Sequence, residues 1–498
     1  MARFLMAWEL GSGLGHAGRM APLAEALIAR GHQVDVVMKD VVHTRPMFQG
    51  IDVRIFQAPM WLHRTVGLPQ PQVSLAEIVL AAGYLTAESL GALVSSWRAL
   101  MSATQADAVI ADYAPTALIA AHIQGLPTAS LGIGFYVPFG LSSDYDNDFV
   151  GRYFADETAI EVLSLQPSIG YKLNEQWSVG MGISVNRAEG TLSKYKDHSG
   201  LCELGEQTTN AMFGAPVYNA AYCDSHYEVE GDDVAFGYTL GIHGEPVQGT
   251  RLALTYHSAI HFRLSGDSVI TNTPITGANV VGNPNYLVIA PNLPAIDLAT
   301  GKLAANSQLT EASKVALTTP ATAAFSLDQQ LTKALSVQFS AAWTEWSAFE
   351  SIDIVSADAN PSISLNTQIP ANLNNPGQIG YIPEYWHNSW SFAAGATYLL
   401  QSDVTLKAGV AYDENPIAQS HKTARIPTDD RVWASVGANW QLTDKLSLDF
   451  AYGYLFTGDV SVNEREYNVQ DVPLYNSGYQ GDYSNKSQLF AVGANYSF

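Results

Sequence analysis

Two different patterns of apolar and polar residues divide the chain near position 130. In the first part, compact apolar runs alternate with stretches in which apolar residues recur at helical spacing. In chain order these are ARFLMAWEL, the helical AGRMAPLAEALIARGH, QVDVVMK, IDVRIFQAP, a helix from Ser74 to about Ala103, and ADAVIADY. Strands that alternate with helices favour a parallel, doubly wound sheet. We therefore expect a partial α/β Rossmann-like domain over residues 1–130.

From Leu131 to residue 498 the chain consists of short segments in which apolar and polar residues alternate, each about ten residues long. One face of the segment TRLALTYHSAIHFRLSG carries Leu252, Leu254, Tyr256, Ile260, Phe262 and Leu264, and the other carries His257, His261 and Arg263. The same alternation recurs in KLSLDFAYGYLFTGDV and in further segments, which gives about twelve candidate strands. A soluble β-sandwich also alternates in this way, so the pattern of single strands leaves two β architectures open.

The connections between these segments favour a transmembrane barrel. Short connections lie near 173–176, 244–249, 332–334, 400–403 and 442–445, and long polar ones lie near 191–232, 266–315, 353–387, 413–429 and 459–484. Alternating short and long connections are typical of outer-membrane barrels. The last segment ends on Tyr496 and Phe498, which share one face and suit an aromatic girdle. We predict an antiparallel transmembrane β-barrel over residues 131–498.

The composition argues against two other classes of protein, those with transmembrane helices and those that bind nucleic acid. No run of about 18 apolar residues occurs, although hydrophobic residues make up 47% of the chain, so transmembrane helices are not expected. A formal net charge of -22 argues against nucleic acid as a partner. The start, MARFLMAWELGSGLGH, reaches Glu9 and a glycine-rich loop before an apolar core forms, and we read no signal peptide in it.

The two cysteines, Cys202 and Cys223, lie in one polar connection. Their spacing suits a local disulfide in an oxidising compartment, and two unrelated free thiols remain the alternative. The chain shows no thiolate metal-site spacing, and we expect neither a metal nor a cofactor.

His16 and Asp112, in the first part of the chain, are candidate catalytic residues. In a doubly wound sheet, ligands bind beyond the carboxyl ends of the strands, where GSGLGH and the end of VIADY meet. His16 and Asp112 can therefore pair, and a carboxylate that holds one ring nitrogen leaves the other as a general base. The alternative is a glycine turn with a strand-end Asp that caps a helix.

The segments GLGHAGRMAPLAEALIARGHQV, VIADYAPTALIAAHIQGLP and ASLGIGF resemble the acceptor-side N-terminal domain of two-domain nucleotide-sugar glycosyltransferases. The resemblance covers about 130 residues and implies a catalytic base at His16 with Asp112 as its partner. Nothing downstream resembles the donor-binding domain of that family. Glycosyl transfer by this chain is therefore not expected, and an enzyme remains only the alternative function.

Most of residues 131–498 resembles another family. The segments GIGFYVPFGLSSDYDNDFVGRYFADETA, LSLQPSIGYKLNEQWSVGMGISVN, AAWTEWSAFESI, AGVAYDENPI and RIPTDDRVWASVGANWQL look like the long-chain fatty-acid and hydrophobic-compound transporters of Gram-negative outer membranes, the FadL and TodX family. The resemblance implies passive transport of long-chain fatty acids or other hydrophobic small molecules, a place in outer-membrane lipid, and Phe498 as a signal for the barrel insertion machinery.

The chain departs from that family at its front. The resemblance implies a fourteen-stranded barrel with an inward N-terminal hatch, but the hatch and the first two strands are replaced by the α/β segment. About twelve strands would leave unpaired edges. Because LGIGFYVP fits both families, our hypothesis is a recombined or misassembled chimera joined within Leu131 to Pro138.

Several residues are candidates for the transport route. Pro138 lacks an amide donor and Gly140 weakens pairing, so a kink and a lateral gap are expected there, unless Pro138 only ends a strand. By parity the lumen candidates are His257, His261, Arg263, Lys407 and Arg431. They can hold a fatty-acid carboxylate or only neutralise acidic neighbours. Capture of an apolar molecule or a place at the membrane interface suits Trp343, Trp346, Phe349, Trp386 and Trp390.

Overall fold

The structure is a computed structural model. It describes residues 1–11, 14–63, 79–214, 223–358, 360–365, 377–401, 403–443, 446–467, 472–473 and 478–496. The predicted terminal signal at Phe498 and the side chain of Tyr496 lie outside the described residues.

The first part of the chain forms a parallel sheet with helices. Its strands are β1 (Arg3–Trp8), β2 (Gln33–Met38), β3 (Arg54–Gln57), β4 (Ala108–Asp112) and the start of β5 (Thr128–Asp144). The helices are α1 (Gly15–Ala29), α2 (Val41–Thr44), α3 (Ala87–Thr104) and α4 (Pro115–Ile123), with a 3-10 turn at Arg45–Phe48 and a π-helical turn at Leu80–Tyr84. All neighbouring strands run parallel, in the order β3-β2-β1-β4-β5.

Local sequence explains the main helices of this part. Thr86 begins α3 as its N-cap, where its side chain accepts a hydrogen bond from the Ser89 amide, and Pro115 begins α4. The apolar residues of β1 point alternately to the two faces of the sheet, where Leu5 packs with Trp97 of α3 and Met6 packs with Met20 of α1. Both faces are therefore covered, as continuous apolar strands require.

The rest of the chain is mainly antiparallel sheet. The strands are β6 (Glu157–Lys172), β7 (Trp177–Asp197), β8 (Asp224–Val247), β9 (Thr250–His257), β10 (Ile260–Pro274), β11 (Tyr286–Leu287), β12 (Ile296–Asp297), β13 (Lys302–Leu303), β14 (Ala305–Thr319), β15 (Thr322–Gln330), β16 (Leu335–Thr344), β17 (Ser351–Ser356), β18 (Gln378–Pro383), β19 (Ser389–Gln401), β20 (Val404–Asp413), β21 (Arg431–Gln441), β22 (Leu446–Thr457), β23 (Val460–Glu464), β24 (Tyr479–Tyr483) and β25 (Lys486–Tyr496). Helix α5 is Ser199–Phe213, and 3-10 turns occupy Gly277–Val280, Trp346–Ala348 and Gln419–His421.

Several of these strands are the two halves of one longer line. Strands β9 and β10 follow each other alongside β8, as do β14 and β15, β16 and β17, and β18 and β19 along their own neighbours. With each such pair counted as one line, the described residues form twelve antiparallel lines from β5 to β25. No pairing joins β5 to β25 in the described part of the chain, so closure of the ring stays a prediction.

The four composite lines are interrupted at one level, which we call the break. It comprises residues 258–259, 320–321, 345–350 and 384–388. Below the break, Leu254 and Phe325 are exposed on the outer face. Above it, Phe262 and Leu317 are buried on the opposite face. An outer surface that is apolar below and polar above fits a boundary between hydrocarbon and water, because each medium selects the side chains that face it.

Strand β5 belongs to both sheets. Thr128–Leu131 pairs with β4 on one side, and from Ala129 onward the strand pairs with β6 on the other. The predicted limit between residues 130 and 131 therefore falls inside a continuous strand. Beyond Leu131 only β6 pairs with β5 in the described residues. None of the described helices combines the length and the apolar character needed to cross a membrane.

Candidate functional site: the enclosed face of the antiparallel sheet

An apolar core fills the enclosed face above the break. Phe262 of β10, Leu317 of β14, Ile354 of β17 and Leu192 of β7 belong to one packed cluster with Phe349 from the break. A small void of about 30 Å³ lies among side chains of this cluster, including Leu192, Leu264 and Ile352. The residues that line this void come from strands far apart in the sequence, so the void forms only when those strands pair in the folded protein.

A buried cation borders this core. Arg425, in the connection between β20 and β21, is 3% exposed. Its Nη1 donates to Thr158 Oγ1 at 3.0 Å and to the Ser193 carbonyl at 3.2 Å, while its Nε has no hydrogen-bond partner among the residues that the structure describes. A second void of about 20 Å³ lies between Arg425, Tyr227 and Leu192. Burial lowers the pKa of Arg425, opposed by nearby carboxyl groups.

Two of those carboxyl groups are themselves perturbed. Glu384, in the break, is fully buried, and its Oε2 accepts a 2.8 Å hydrogen bond from Trp386 Nε1. Burial raises the pKa of Glu384 to about 8. Glu464 accepts a 2.7 Å hydrogen bond from the Ala424 amide, and burial raises its pKa to about 7. Sequence reasoning missed Arg425, Glu384 and Glu464, because polar residues in long connections give no local signal of burial.

Below the break, the space on the inner side of the sheet, which we call the lumen, is wider and more polar. A cavity of about 580 Å³ is lined there by His243, Arg251, Asp328, Gln338, Trp433 and Ser435, among others. Lys407 and Arg431 alternate with the exposed apolar residues of β20 and β21, such as Val410 and Val432, and so lie on the lumen side. Arg431 pairs in register with Asp413. The structure places both on the side opposite the exposed apolar residues, and their role in ligand binding stays a prediction.

His257 lies in a polar network on the same side. Its Nδ1 is 3.0 Å from Thr239 Oγ1, and Thr239 donates to Gln166 Oε1 at 3.0 Å. Tyr136 of β5 donates to the same oxygen at 2.7 Å. The network links strands β5, β6, β8 and β9 across the wall.

His261 and Arg263 require a correction. The sequence predicts them in the lumen beside His257, on the face opposite Phe262. The break at Ser258 and Ala259 inverts the alternation, so Phe262 points into the core while His261 and Arg263 are exposed on the outer surface. Extending the odd–even alternation of β9 into β10 without allowing for the break therefore assigns His261 and Arg263 to the wrong face of the sheet.

The candidate gap residues lie at an irregular point of β5. The β5–β6 register shifts between Tyr136 and Phe139, with Pro138 inside the irregularity. Proline cannot donate to a ladder, which explains a bulge at this position. Gly140 pairs regularly with Glu161. Pro138 therefore does not end the strand, which continues to Asp144.

The predicted loop aromatics fall into two groups. Trp346, Phe349 and Trp386 cluster in the break, where the Trp386 ring centroid lies 4.9 Å from each of the other two. Trp343 and Trp390 face each other across β16 and β19, and Trp390 is exposed on the outer face. The first group borders the core, and the second has the position of an interfacial girdle.

Cys202 of α5 is bonded to Cys223 just before β8, with a Cα–Cα distance of 6.3 Å. The bond ties α5 to the upper end of the wall, where the His198 amide donates to the Cys223 carbonyl at 2.9 Å.

His16 and Asp112 do meet, but a third residue joins them. His16 Nδ1 is 3.3 Å from Asp112 Oδ2, while Arg19 Nη2 lies 3.1 Å from His16 Nδ1 and 3.0 Å from Asp112 Oδ1. A guanidinium only donates, so Arg19 shares Asp112 with His16 and approaches the same ring nitrogen that faces the carboxylate. The proximity of His16 and Asp112 is as predicted, and their role as a base and its partner stays a prediction.

The chain is similar to outer-membrane proteins over most of its length. Residues 70–498 match the family model of the outer membrane protein transport proteins (OMPP1/FadL/TodX). A long-chain fatty acid transport protein of Escherichia coli O6:H1 is 24% identical over 362 residues, covering 72% of each chain. Outer membrane protein P1 of Haemophilus influenzae is 26% identical over 381 residues, covering 74% of this chain and 72% of that protein. A solved Pseudomonas aeruginosa FadL homologue has a TM-score of 0.54 at 27% identity, covering 74% of this chain and 75% of that one.

Long antiparallel strands with an apolar outer band, together with these similarities, define a β-stranded transport protein of the outer membrane. The chain belongs to the OMPP1/FadL/TodX family of outer membrane transport proteins.

Proposed function

We propose that this protein carries long-chain fatty acids or other hydrophobic compounds across the outer membrane, without covalent chemistry and without a cofactor. The observation that carries the proposal is the inversion at the break. Above it, apolar side chains such as Phe262 and Leu317 face inward and offer an entering apolar molecule a dry surface. Below it, the lumen is open and partly polar, so the molecule is held less tightly there.

In this proposal the cations of the lower lumen recognise a carboxylate. Lys407 and Arg431 lie on the lumen side, and His257 lies in the network beside β5. A carboxylate accepts charge-assisted hydrogen bonds from such groups. The competing role is neutralisation of nearby acids, which the register pairing of Arg431 with Asp413 favours. The two roles differ in whether substrate charge matters.

Uptake of labelled oleate and of labelled toluene separates these roles. The host is a bacterial strain without its own fatty-acid transporter, and the variant combines Lys407→Gln with Arg431→Gln. We expect oleate uptake to fall about tenfold, as loss of a charged hydrogen bond predicts, and toluene uptake to persist. Arg263→Gln, on the outer face, is the control. Equal uptake of oleate by variant and wild type would refute the carboxylate role, and no uptake above the empty strain would refute transport.

We also propose that substrate leaves sideways along β5. Support comes from the irregularity at Pro138 and from the edge of β5 between Gly132 and Asp144, which has no partner strand on its far side in the described residues. Lipid cannot satisfy such an edge, so a twelve-line barrel must bring β25 and β5 together in the membrane or keep a gap there. Paired cysteines placed on β5 and β25 would cross-link in membranes if the ring closes.

The α/β part is proposed to be a Rossmann-like segment of glycosyltransferase type that does not transfer sugar. Its parallel order supports the first half of this proposal, and Arg19 beside His16 supports the second. We further propose a fused origin near residues 131–138, which one uninterrupted DNA read across the codons for residues 120–150 would test. Nucleotide-sugar turnover that His16→Ala abolishes would instead establish the enzyme.

A further inference from the structure

The connection between β20 and β21, residues 414–430, folds inward, and we call it the inner loop. Loops between strands normally run over the surface, because buried backbone must find hydrogen-bond partners. The inner loop has a buried set of residues, namely Asn415, Ile417, Lys422, Thr423, Ala424 and Arg425. An inward course of this kind requires specific partners inside the wall.

Those partners lie on the far side of the sheet. In the order of the twelve lines, β20 and β21 are the ninth and tenth, whereas β6 and β7 are the second and third. Arg425 nevertheless donates to Thr158 of β6 and to the carbonyl of Ser193 of β7. Tyr145, which follows β5, donates to the Ala424 carbonyl at 2.7 Å. The inner loop thus crosses the enclosed space.

The loop also contacts the chain segments next to β5 and β25, two strands that, apart from the pairing of β5 with β4 at its start, lack a second partner in the described part of the chain. Ala424 packs in one cluster with Phe154, which follows β5, and with Val462 and Tyr479 of the β23–β24 hairpin, which precedes β25. The Ala424 amide donates to Glu464 of the same hairpin. The upper ends of β5 and β25, which do not pair with each other in the described residues, are therefore both held by contacts that converge on residues 424–425.

The anchor at Arg425 is weak for a buried cation. Its described hydrogen-bond acceptors are a neutral hydroxyl and a neutral carbonyl, and its Nε has none. Nearby carboxyl groups, Glu464 first among them, attract the guanidinium, but none of them forms an ion pair with it in the described residues. The contact with β6 and β7 therefore breaks by the loss of two hydrogen bonds to neutral groups, and the released arginine regains its hydration.

We infer that the inner loop is a gate across the enclosed space, held closed by the Arg425 contact with β6 and β7 and opened when that contact breaks. Arg425 is a positioning residue in this scheme. The gate regulates the transport route proposed above and rests on that proposal only for the nature of what passes.

Trypsin and ion conductance test the gate without any transport substrate. Lys422, three residues before Arg425 in the inner loop, is buried, so a closed gate protects the bond after Lys422 from trypsin. We expect Arg425→Ala and Thr158→Val to speed cleavage after Lys422 about tenfold, because each removes a hydrogen bond to a charged group. The KCl conductance of the purified full chain in planar bilayers should rise in both variants.

Arg263→Ala is the matched control, since it removes an arginine from the exposed outer face. It should leave cleavage and conductance at wild-type values. Heat-modifiable migration verifies folding, and Thr158→Val, which deletes one hydroxyl, carries the test if Arg425→Ala misfolds. Wild-type cleavage and conductance in the folded variants would overturn the gate, as would an equal rise in the control. A gate that opens in a protein without oleate or toluene uptake would instead count against the proposed function alone.

Discussion

Arg425 and Thr158 are joined by a 3.0 Å hydrogen bond although 267 positions separate them along the chain. The bond connects the inner loop to the opposite wall, next to the enclosed core and to the carboxyl groups of Glu464 and Glu384. The packing, titration and backbone of this upper region each lead to a measurable expectation.

The core above the break should be sensitive to truncation at Phe262. This side chain is 2% exposed and packs within the main cluster. Phe262→Ala should lower the free energy of unfolding by about 3–5 kcal/mol, because it removes buried apolar surface and leaves a cavity. His261→Ala, at the next position and on the outer face, should change it by less than about 0.5 kcal/mol. Urea unfolding followed by tryptophan fluorescence measures both, and equal effects would contradict the inversion at the break.

The free energy of unfolding should fall as the pH rises from about 4.5 to about 8, because Glu384 loses its proton in this range. Burial raises its pKa to about 8 from an unfolded value of 4.5, so the folded state binds the proton more tightly. The stabilising contribution is complete below about pH 4.5 and is lost as the pH passes through about 8. Denaturant midpoints at pH 5, 7 and 9 should decline for the wild type and decline less for Glu384→Gln. A midpoint that rises with pH in the wild type but not in the variant would contradict the assignment.

Gly266 should not tolerate a side chain. A Cβ at this position would clash with the Glu230 carbonyl oxygen and would lie 2.8 Å from Gly231 Cα, so β8 and β10 would have to separate. Gly266→Ala should cost about 1–3 kcal/mol of unfolding free energy. Gly200→Ala, in α5 with open space around it, is the matched control. Gly266→Ala should lose its heat-modifiable migration at a lower temperature than the wild type does. Gly200→Ala should lose it at the wild-type temperature.

The disulfide should act on the α5 segment more than on the strands. It joins residues 21 positions apart, a loop whose closure is worth about 3 kcal/mol in the unfolded chain. Replacing Cys202 and Cys223 together by serine should expose residues 198–223 to proteolysis while the KCl conductance persists. Unchanged protease resistance would show that packing alone holds α5 in place.

The division of the chain into an α/β part and a β part could be predicted from the sequence. The periodicity of apolar residues in a strand or a helix depends only on residues that are neighbours in the chain. The alternation in TRLALTYHSAIHFRLSG correctly predicts strands on both sides of the break, and the disulfide between Cys202 and Cys223 is one of the two alternatives that the sequence left open. The side on which His261 and Arg263 lie could not be predicted, because two residues at Ser258–Ala259 invert the alternation without changing its period. A neighbouring line breaks opposite them, at Pro320–Ala321, and only the paired wall shows that.

Sequence by itself determined that residues 131–498 are mostly strands with one apolar face, and that residues 1–130 alternate strands with helices, since each segment must bury its own apolar side. Only the tertiary structure determined which face of the sheet is enclosed above and below the break. It also determined the contact between Arg425 and Thr158 and the burial of Glu384. Those outcomes depend on contacts between distant segments, and the energy of burying a charge is set by what surrounds it rather than by its neighbours in the chain.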